Sequence, residues 1–404
     1  LSKTGMDPGH ILILSWWLAT DAAAAVNSVT VDSTGDTKND YGDWRNGGPK
    51  TYTLTAGEEH LELSSKNLGS ADVTLLAAWL TTSAGAAIAR LILSENPITN
   101  YMYPKDLSGF KALCEVLPDL KNPISLELAN CYFKVAEVNE LAQAISAGAA
   151  VNSMTIDSTG NMRDRKTYTL TAGEEKIDLS KNNLGSADVA LVAVWLQRPD
   201  VSAASVEVVI LDGNPIGFPS SVTLKTGAVT GIEVKNGVFA AVDGRFGEVV
   251  YLNGSSSVDI RWLDDGSNSH FIENGKLTSV VASRNDLIED YSHIRSLGEA
   301  LSGSKVHTYG LANCNFNPVT LTTFVESVRW ETAAVNSVTV DSTGDTDWSY
   351  GGPKTYTLTV GEEKIDLSQK NLGSADVALV ATWLQRPEVR AALNSLTVDS
   401  TGVL

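Results

Sequence analysis

The sequence of 404 residues predicts an α/β solenoid, a horseshoe with a parallel sheet on its concave side and an inserted small all-β barrel. Three observations predict this fold. Long strings recur almost unchanged, and short apolar triplets recur inside and between them. One interval between equivalent triplets is much longer than the others, which indicates an insertion. The string VNSVTVDSTG occurs four times with small changes, starting at Val26, Val151, Val335 and Leu393. The string KTYTLTAGEEHLELSSKNLGSADV occurs three times, starting at Lys50, Lys166 and Lys354.

The strings share one pattern: apolar, any, apolar, two small or polar residues, then Asn, Cys, Thr or Lys. Its first apolar residues are Val29, Leu61, Leu91, Leu126, Met154, Ile177, Val209, Tyr309, Val338, Ile365 and Leu396. An apolar–any–apolar triplet predicts a short strand with one buried face. A helical pattern follows several triplets, for example from Ser186, a suitable N-cap, to Pro199, a stop signal. Stacked strand–helix units bury a core that one unit cannot bury alone.

This pattern resembles leucine-rich repeats, especially the ribonuclease-inhibitor-like class, over most of the chain. The resemblance implies that an Asn or Cys at the sixth position points inward and bonds backbone groups where strand turns into loop. These residues are Asn96, Asn182, Asn214, Cys131 and Cys314, and Thr34, Thr159 and Thr343 hold the position in the DSTG strings. Lys66 and Lys370 depart from the pattern, with Asn67 and Asn371 one place later.

The DSTG units are too short for a helix, since only 23 residues separate Met154 from Ile177. We therefore expect the TYTLT segment, Tyr168 to Thr171 and its equivalents, to be extended on the convex side. Both ends of the sequence fall inside a repeat, because Leu1 to Leu18 aligns with Leu179 to Leu196. This alignment predicts a piece of a longer array, or an engineered protein.

An insertion interrupts the repeats. The step from Leu211 to Leu311 is 100 residues, whereas the equivalent step from Leu93 to Leu128 is 35. The extra residues, about 218–282, read as five short strands separated by hairpin turn signals such as Asn253-Gly254. The sequence therefore predicts repeats over 1–217, a barrel over 218–282 and repeats over 283–404.

The insertion resembles SH3-like and Tudor-like barrels, and among these it is most similar to the Mib/Herc2 type. The matching residues are Trp262, Asp265, Gly266, Ser267, His270 and Phe271. The resemblance implies a groove that binds methylated basic peptides through an aromatic cage, with Tyr251, Trp262 and Phe271 as its members. Alternatively, Trp262 and Phe271 are core residues.

Charge and composition exclude several classes of partner. The net charge of −18 argues against a nucleic acid and against an anionic membrane surface. The apolar stretch from Ile11 to Leu18 is too short to span a bilayer, so no membrane insertion is predicted. Three cysteines do not make a disulfide framework, which favours a reducing compartment such as the cytoplasm and otherwise leaves the localisation open.

No catalytic motif is visible, and the five histidines are scattered. We therefore expect no enzyme activity, no cofactor and no metal. The alternative is Ca²⁺ binding by acidic residues, namely the pair Asp32 and Asp36 or the cluster Asp341, Asp345 and Asp347. Because ribonuclease-inhibitor-like repeats include activators of small GTPases, a regulator with Arg45 on a rim loop is another alternative, by analogy.

The central residue of each triplet, and the residue two places later, should face the concave side. Together they form an acidic stripe suited to a protein with a basic surface; its carboxylates are Asp32, Glu62, Glu127, Asp157, Asp178, Asp212, Asp341, Asp366 and Asp399. The alternative is a solvated face that keeps the array soluble. Loops of variable length offer a second contact surface, with Tyr41, Trp44, Arg45, Trp348 and Tyr350.

The two tryptophans of these loops, Trp44 and Trp348, could instead fold back onto the core. The sequence thus predicts a non-enzymatic protein–protein interaction scaffold. A regulator of a small GTPase, or a structural or surface component of a longer array, are the alternatives. The oligomeric state stays open.

Overall fold

A computed structural model describes residues 1, 5–38, 41, 43–45, 47–99, 105–204, 206–254, 256–344 and 352–399, without the side chains of 162 and 202–204. The chain divides into two compact units. Unit 1 comprises Leu1–Thr159, Lys166–Glu175 and Val194–Ser205, and unit 2 comprises Gly160–Arg165, Lys176–Ala193 and Val206–Leu404.

Ten α-helices occur in the described residues: α1 (Pro8–Leu18), α2 (Ser70–Leu80), α3 (Ser108–Val116), α4 (Val135–Ser146), α5 (Ser186–Gln197), α6 (Pro199–Ala204), α7 (Ser292–Ser302), α8 (Pro318–Ser327), α9 (Ser374–Gln385) and α10 (Pro387–Ala392). None of these helices is both long and apolar enough to cross a membrane.

The strands of unit 1 are β1 (Ser28–Asp32), β2 (Thr51–Thr55), β3 (His60–Glu62), β4 (Arg90–Ile92), β5 (Ile124–Glu127), β6 (Val151–Asp157) and β7 (Thr167–Thr171). One sheet has the order β3-β4-β5-β6-β7, parallel from β3 to β6 and antiparallel between β6 and β7. Strands β1 and β2 form a separate antiparallel pair. The buried triplet residues Leu61, Leu91 and Leu126 lie side by side, so equivalent residues of successive repeats share one core.

Unit 2 contains β8 (Lys176–Asp178), β9 (Val208–Ile210), β10 (Ser221–Leu224), β11 (Phe239–Val242), β12 (Arg245–Asn253), β13 (Ser257–Trp262), β14 (Asn268–Glu273), β15 (Thr278–Val281), β16 (Leu287–Asp290), β17 (Thr308–Leu311), β18 (Ser337–Asp341), β19 (Thr355–Thr359), β20 (Lys364–Leu367) and β21 (Ser395–Val398). Its first sheet has the order β8-β9-β17-β18-β19, again antiparallel only at the last pair. Strands β20 and β21 form a separate parallel pair.

The predicted solenoid horseshoe is wrong. The described residues form a mixed α/β structure with six separate small sheets, and none of them closes on itself. The TYTLT segments explain the difference, because they are not convex connections. Strands β2, β7 and β19 each pair antiparallel with the preceding DSTG strand. A strand paired in this way occupies the edge that the next parallel strand would need, so each parallel run ends there.

The inserted barrel is also corrected, since its sheet stays open. Its five strands have the order β14-β13-β12-β11-β15, and the described residues show no pairing between β14 and β15. The predicted first strand, from Gly231 to Ala241, is reduced to β11. A second antiparallel pair joins β10, near the start of the predicted insertion, to β16, just after its predicted end. Apolar residues on both faces of β11 give two small clusters, one around Val249 and Ile260 and one around Phe246 and Leu263.

The inward-pointing sixth residues are confirmed at four positions. Asn96 donates from Nδ2 to the carbonyls of Leu63 and Leu93 at 2.8 and 2.9 Å, and Asn214 does the same for Leu179 and Leu211. The thiols of Cys131 and Cys314 are buried and donate to carbonyl oxygens. Burial raises the pKa of Cys131 to about 12, so this thiol is an inert structural group.

The prediction for Asn182 is wrong, because the buried amide of that turn is its neighbour Asn183. Asn183 donates to the carbonyls of Asn161 and Asp164, both at 2.8 Å. Its backbone is left-handed, with φ of 55°, a conformation that Asn tolerates better than most residues. Asn67 and Asn371 have the same conformation. The one-place shift noted at these positions therefore reflects a differently shaped turn.

A buried carboxylate ties the DSTG turn to the following helix. Asp72, in the first turn of α2, accepts bonds from the N–H and the hydroxyl of Thr34, both at 2.8 Å, and from the N–H of Gly69 at 2.8 Å. Its other oxygen accepts from the hydroxyl of Tyr52 at 2.9 Å. Burial raises the pKa of Asp72. The same four bonds recur at Asp376, with distances of 2.7–2.8 Å.

Removing this carboxylate should lower the free energy of unfolding more than removing any one of its donors. Asp72→Ala leaves several buried donors unpaired, so we expect a loss of about 3 kcal/mol or more, against about 1 kcal/mol for Tyr52→Phe. Urea unfolding, followed by hydrogen exchange of the peptides around Thr34 and Gly69, measures both. Glu59→Ala, at an exposed position of unit 1, is the control. Equal small losses for the two variants would contradict this ranking.

His293 lies buried at the start of α7, just after the insertion. Its Nε2 bonds the carbonyl of Ile216 at 2.9 Å, which requires the proton on that nitrogen. Burial lowers the pKa of His293, and the nearby charge of Asp290 opposes this shift only in part. The native protein therefore holds this imidazole neutral.

Acid should weaken the contact between His293 and the carbonyl of Ile216, and so lower the stability of the fold. The folded pKa lies below the unfolded value of about 6.5, so the stabilising contribution is complete above pH 6.5 and is lost as the pH falls from there towards the folded pKa. We expect His293→Gln, whose amide can keep the bond to Ile216, to show a smaller decrease in unfolding midpoint between about pH 7 and pH 5. The matched control is His270→Gln, because His270 is exposed. An unchanged pH profile in His293→Gln would refute the assignment.

Candidate protein-binding face

The five-stranded sheet of unit 2 carries one row of residues across its polar face. In register, the row runs Asp178, Ile210, Gly310, Thr339 and Thr357, one from each strand. The hydroxyls of Thr339 and Thr357 are 2.9 Å apart. These are the central triplet residues, together with the paired residue of β19, so the face combines a carboxylate with hydroxyl groups.

Three carboxylates surround the middle of this row. Asp212 follows β9, and burial first, then the negative charges of Asp178 and Asp341, raise its pKa. Asp212 and Asp341 accept bonds from the adjacent N–H groups of Ala312 and Asn313, and Asp178 pairs in register with Ile210, two residues before Asp212. Gly310 is buried between them and closely packed: a Cβ there would lie 3.0 Å from Oδ1 of Asp212 and 2.9 Å from Cδ1 of Ile210, so no side chain fits. This part of the sheet face, with its three carboxylates around Gly310, is called here the Gly310 site.

The predicted stripe contains carboxylates of two kinds. Asp157 and Asp341 are buried, and each accepts a bond from a neighbouring turn and from a threonine hydroxyl of the paired strand. For Asp157 these donors are the N–H of Asn130 at 2.8 Å and the hydroxyl of Thr167 at 3.0 Å. Asp32 makes the equivalent bond to Thr51 at 2.6 Å. These carboxylates therefore hold neighbouring turns and strands in place.

The other predicted carboxylates are more accessible. Glu62, Asp178, Asp366 and Asp399 are exposed. Asp178 and Asp366 each accept from the serine two residues later, and Lys176 lies 2.8 Å from Asp178. Glu127 is half-buried and pairs with Arg90. The exposed negative charge is therefore carried by fewer residues than the stripe predicts.

The variable loop of unit 1 exposes its predicted residues. Tyr41, Trp44 and Arg45 are exposed, and Lys38 lies over the Trp44 ring at 5.1 Å. Asp36 is buried and accepts from the N–H of Gly48 at 2.7 Å, so it holds the loop. Trp348 and Tyr350 lie outside the described residues, as do Asp345 and Asp347. Among the described residues, no group of three or more acidic, His or Cys side chains could hold a metal ion.

The three predicted groove residues of the insertion are not alike. Tyr251 is 58% and Phe271 73% exposed, whereas Trp262 is buried. The guanidinium of Arg245 stacks 4.5 Å from the Trp262 ring, whose Nε1 donates to Ser269 at 2.9 Å. An internal cation thus already occupies one face of this tryptophan. Trp262 is therefore a core residue, as the alternative prediction states, whereas Phe271 is not.

Asp259 is the residue of these sites that the predicted set leaves out, whereas the predicted concave face already includes Asp212 and Gly310. Asp259 accepts from the N–H of Phe271 at 3.0 Å and contacts His270 Nδ1 at 2.7 Å. It fixes Phe271 in a left-handed conformation with φ of 57°. No local sequence signal indicates that backbone conformation.

No protein-family model matches this chain. A search of curated proteins likewise finds no entry that matches. The leucine-rich repeat and SH3-like resemblances therefore stay predictions from the quoted residues.

The two kinds of carboxylate should respond differently to removal. Asp341→Ala leaves the N–H of Asn313 and the hydroxyl of Thr355 without their acceptor, so we expect a loss of about 2 kcal/mol in the free energy of unfolding. Asp366→Ala, at an exposed position, should leave it nearly unchanged. Chemical unfolding of both variants provides the comparison. Similar losses at the two positions would show that burial does not separate them.

Proposed function

We propose that this chain is a non-enzymatic protein-interaction scaffold that binds a partner with a basic surface through the Gly310 site. The observation that carries this proposal is that three carboxylates, Asp178, Asp212 and Asp341, share one face of the sheet, with Asp178 exposed. A lysine or arginine side chain of the partner that binds Asp178 would also be attracted by the negative charges of Asp212 and Asp341. The hydroxyl-bearing residues of β18 and β19 supply polar contacts next to it.

Charge supports a basic partner more than a neutral one. The chain has a net charge of −18, which attracts a positive surface over a distance of about 10 Å at moderate ionic strength. Electrostatic attraction mainly raises the rate of association, and local packing then decides which partner stays bound. Exposed Tyr41 and Trp44 of unit 1 offer a separate contact surface, since aromatic side chains contribute strongly to binding.

The experiment compares two charge reversals in unit 2. Asp178→Lys changes the Gly310 site, and Glu299→Lys makes the same change in net charge at an exposed position of α7. Fluorescence anisotropy with a labelled lysine decapeptide, at low and moderate salt, measures the affinity. We expect Asp178→Lys to weaken binding at least about threefold more than Glu299→Lys.

Two outcomes would overturn the proposal. Equal losses in both variants would mean that only the overall charge attracts the peptide. Unchanged affinity in Asp178→Lys would mean that the acidic face is a solvated surface. Circular dichroism of each variant confirms that the fold is retained, because both positions are exposed.

A further inference from the structure

Unit 1 contains a cavity of about 320 Å³, a volume within the range of about 300–1,000 Å³ that is typical of small-molecule sites. The cavity lies between two connections that lead from a helix to the next strand, one from α2 to β4 and the other from α3 to β5. All of its wall residues fall between Leu80 and Ile124, so the cavity belongs to unit 1 alone and is separate from the Gly310 site.

The internal repeats explain why this space is open. In the two other copies of the string, a short second helix, α6 or α10, follows the first and carries a buried valine and an arginine that stacks on a tryptophan. These residues are Val201 and Arg198 in one copy, and Val389 and Arg386 in the other. After α2 the aligned positions hold Gly85 and Thr82, and both line the cavity. Residues 81–89, all of them described, form turns instead of a helix, so the space stays unfilled.

The cavity has an apolar interior and a polar mouth. Ile88 and Ile124 are buried in its wall, and Leu120 is half-buried beside them. Nδ2 of Asn122 donates to the carbonyl of Ala86 at 3.3 Å and so ties the two connections together. The exposed wall residues are all polar, namely Thr81, Ser83, Asp119, Lys121 and Asn122. A ligand of matching chemistry has an apolar body and a polar end.

Two opposite charges at the mouth are available to such a ligand. Within the described part of the chain, neither the carboxylate of Asp119 nor the ammonium group of Lys121 forms a hydrogen bond or an ion pair. Helices α2 and α3 end at the cavity, at Leu80 and Val116, and the partial negative charge of a helix C-terminus favours a cation. A positive group is therefore favoured next to Asp119 and a negative group next to Lys121.

We infer that this cavity binds a free α-amino acid with an aliphatic side chain. The side chain of the ligand occupies the apolar interior beside Ile88 and Ile124. Its ammonium group lies near Asp119 and the two helix ends, and its carboxylate lies near Lys121. A ligand with only one of these two charges leaves one side of the mouth without its complement.

Isothermal titration calorimetry of the full chain with L-leucine tests this inference. We expect a Kd of about 1 mM or tighter, which suits a ligand of this size. The analogue 4-methylpentanoate lacks the ammonium group and 3-methylbutylamine lacks the carboxylate, so each should bind at least about fivefold more weakly. Lys121→Gln should weaken binding of L-leucine to a similar extent. Lys305→Gln, the same change in charge at an exposed position of unit 2, should leave it unchanged.

A second pair of variants tests the place of binding. Ala86→Phe puts a large side chain into the wall and should abolish binding, whereas Ala87→Phe, at the exposed neighbour outside the wall, should retain it. Circular dichroism checks that each variant keeps its fold.

Three outcomes would overturn the inference. Absence of L-leucine binding at millimolar concentration would mean that the cavity is not such a site. Equal affinity for either analogue would mean that the mouth does not recognise a zwitterion. Binding that survives in both Ala86→Phe and Lys121→Gln would place the ligand elsewhere on the chain.

Discussion

The fold depends on a buried carboxylate at the start of a helix. Asp72 and Asp376 each bond a threonine, a glycine N–H and a tyrosine hydroxyl, and so connect three segments that are far apart in the sequence. The group compensates for its burial with four hydrogen bonds, which is the condition for an ionisable side chain to be tolerated inside a protein. The DSTG and TYTLT strings recur because they supply these partners.

The tyrosine of this network also explains the broken sheets. For Tyr52 to reach Asp72, the TYTLT segment must lie beside the DSTG strand, with Tyr52 and Leu54 pointing into the core. The segment then pairs antiparallel and ends the run of parallel strands. The same string therefore fixes the local core and limits the length of each parallel run.

The repeats allowed much of the register to be predicted. Ten of the eleven triplet residues are buried, and neighbours such as Leu91 and Leu126 pair as the alignment requires. The pairing of TYTLT could not be predicted, because alternating apolar residues suit a convex segment and a strand equally well. Closure of the insertion likewise depends on contact between its first and last strands, which no local pattern encodes.

The candidate site shows the same limit. Asp341 and Asp399 occupy the same repeat position, yet the first is buried and the second is exposed. The burial of Asp341 comes from its neighbours, since it accepts bonds from the N–H of Asn313 and from the hydroxyl of Thr355 on β19. A repeated acidic residue is therefore first a device for holding successive turns together. In the proposed function, such a charge takes part in recognition where the neighbouring unit leaves the carboxylate open, as at Asp178.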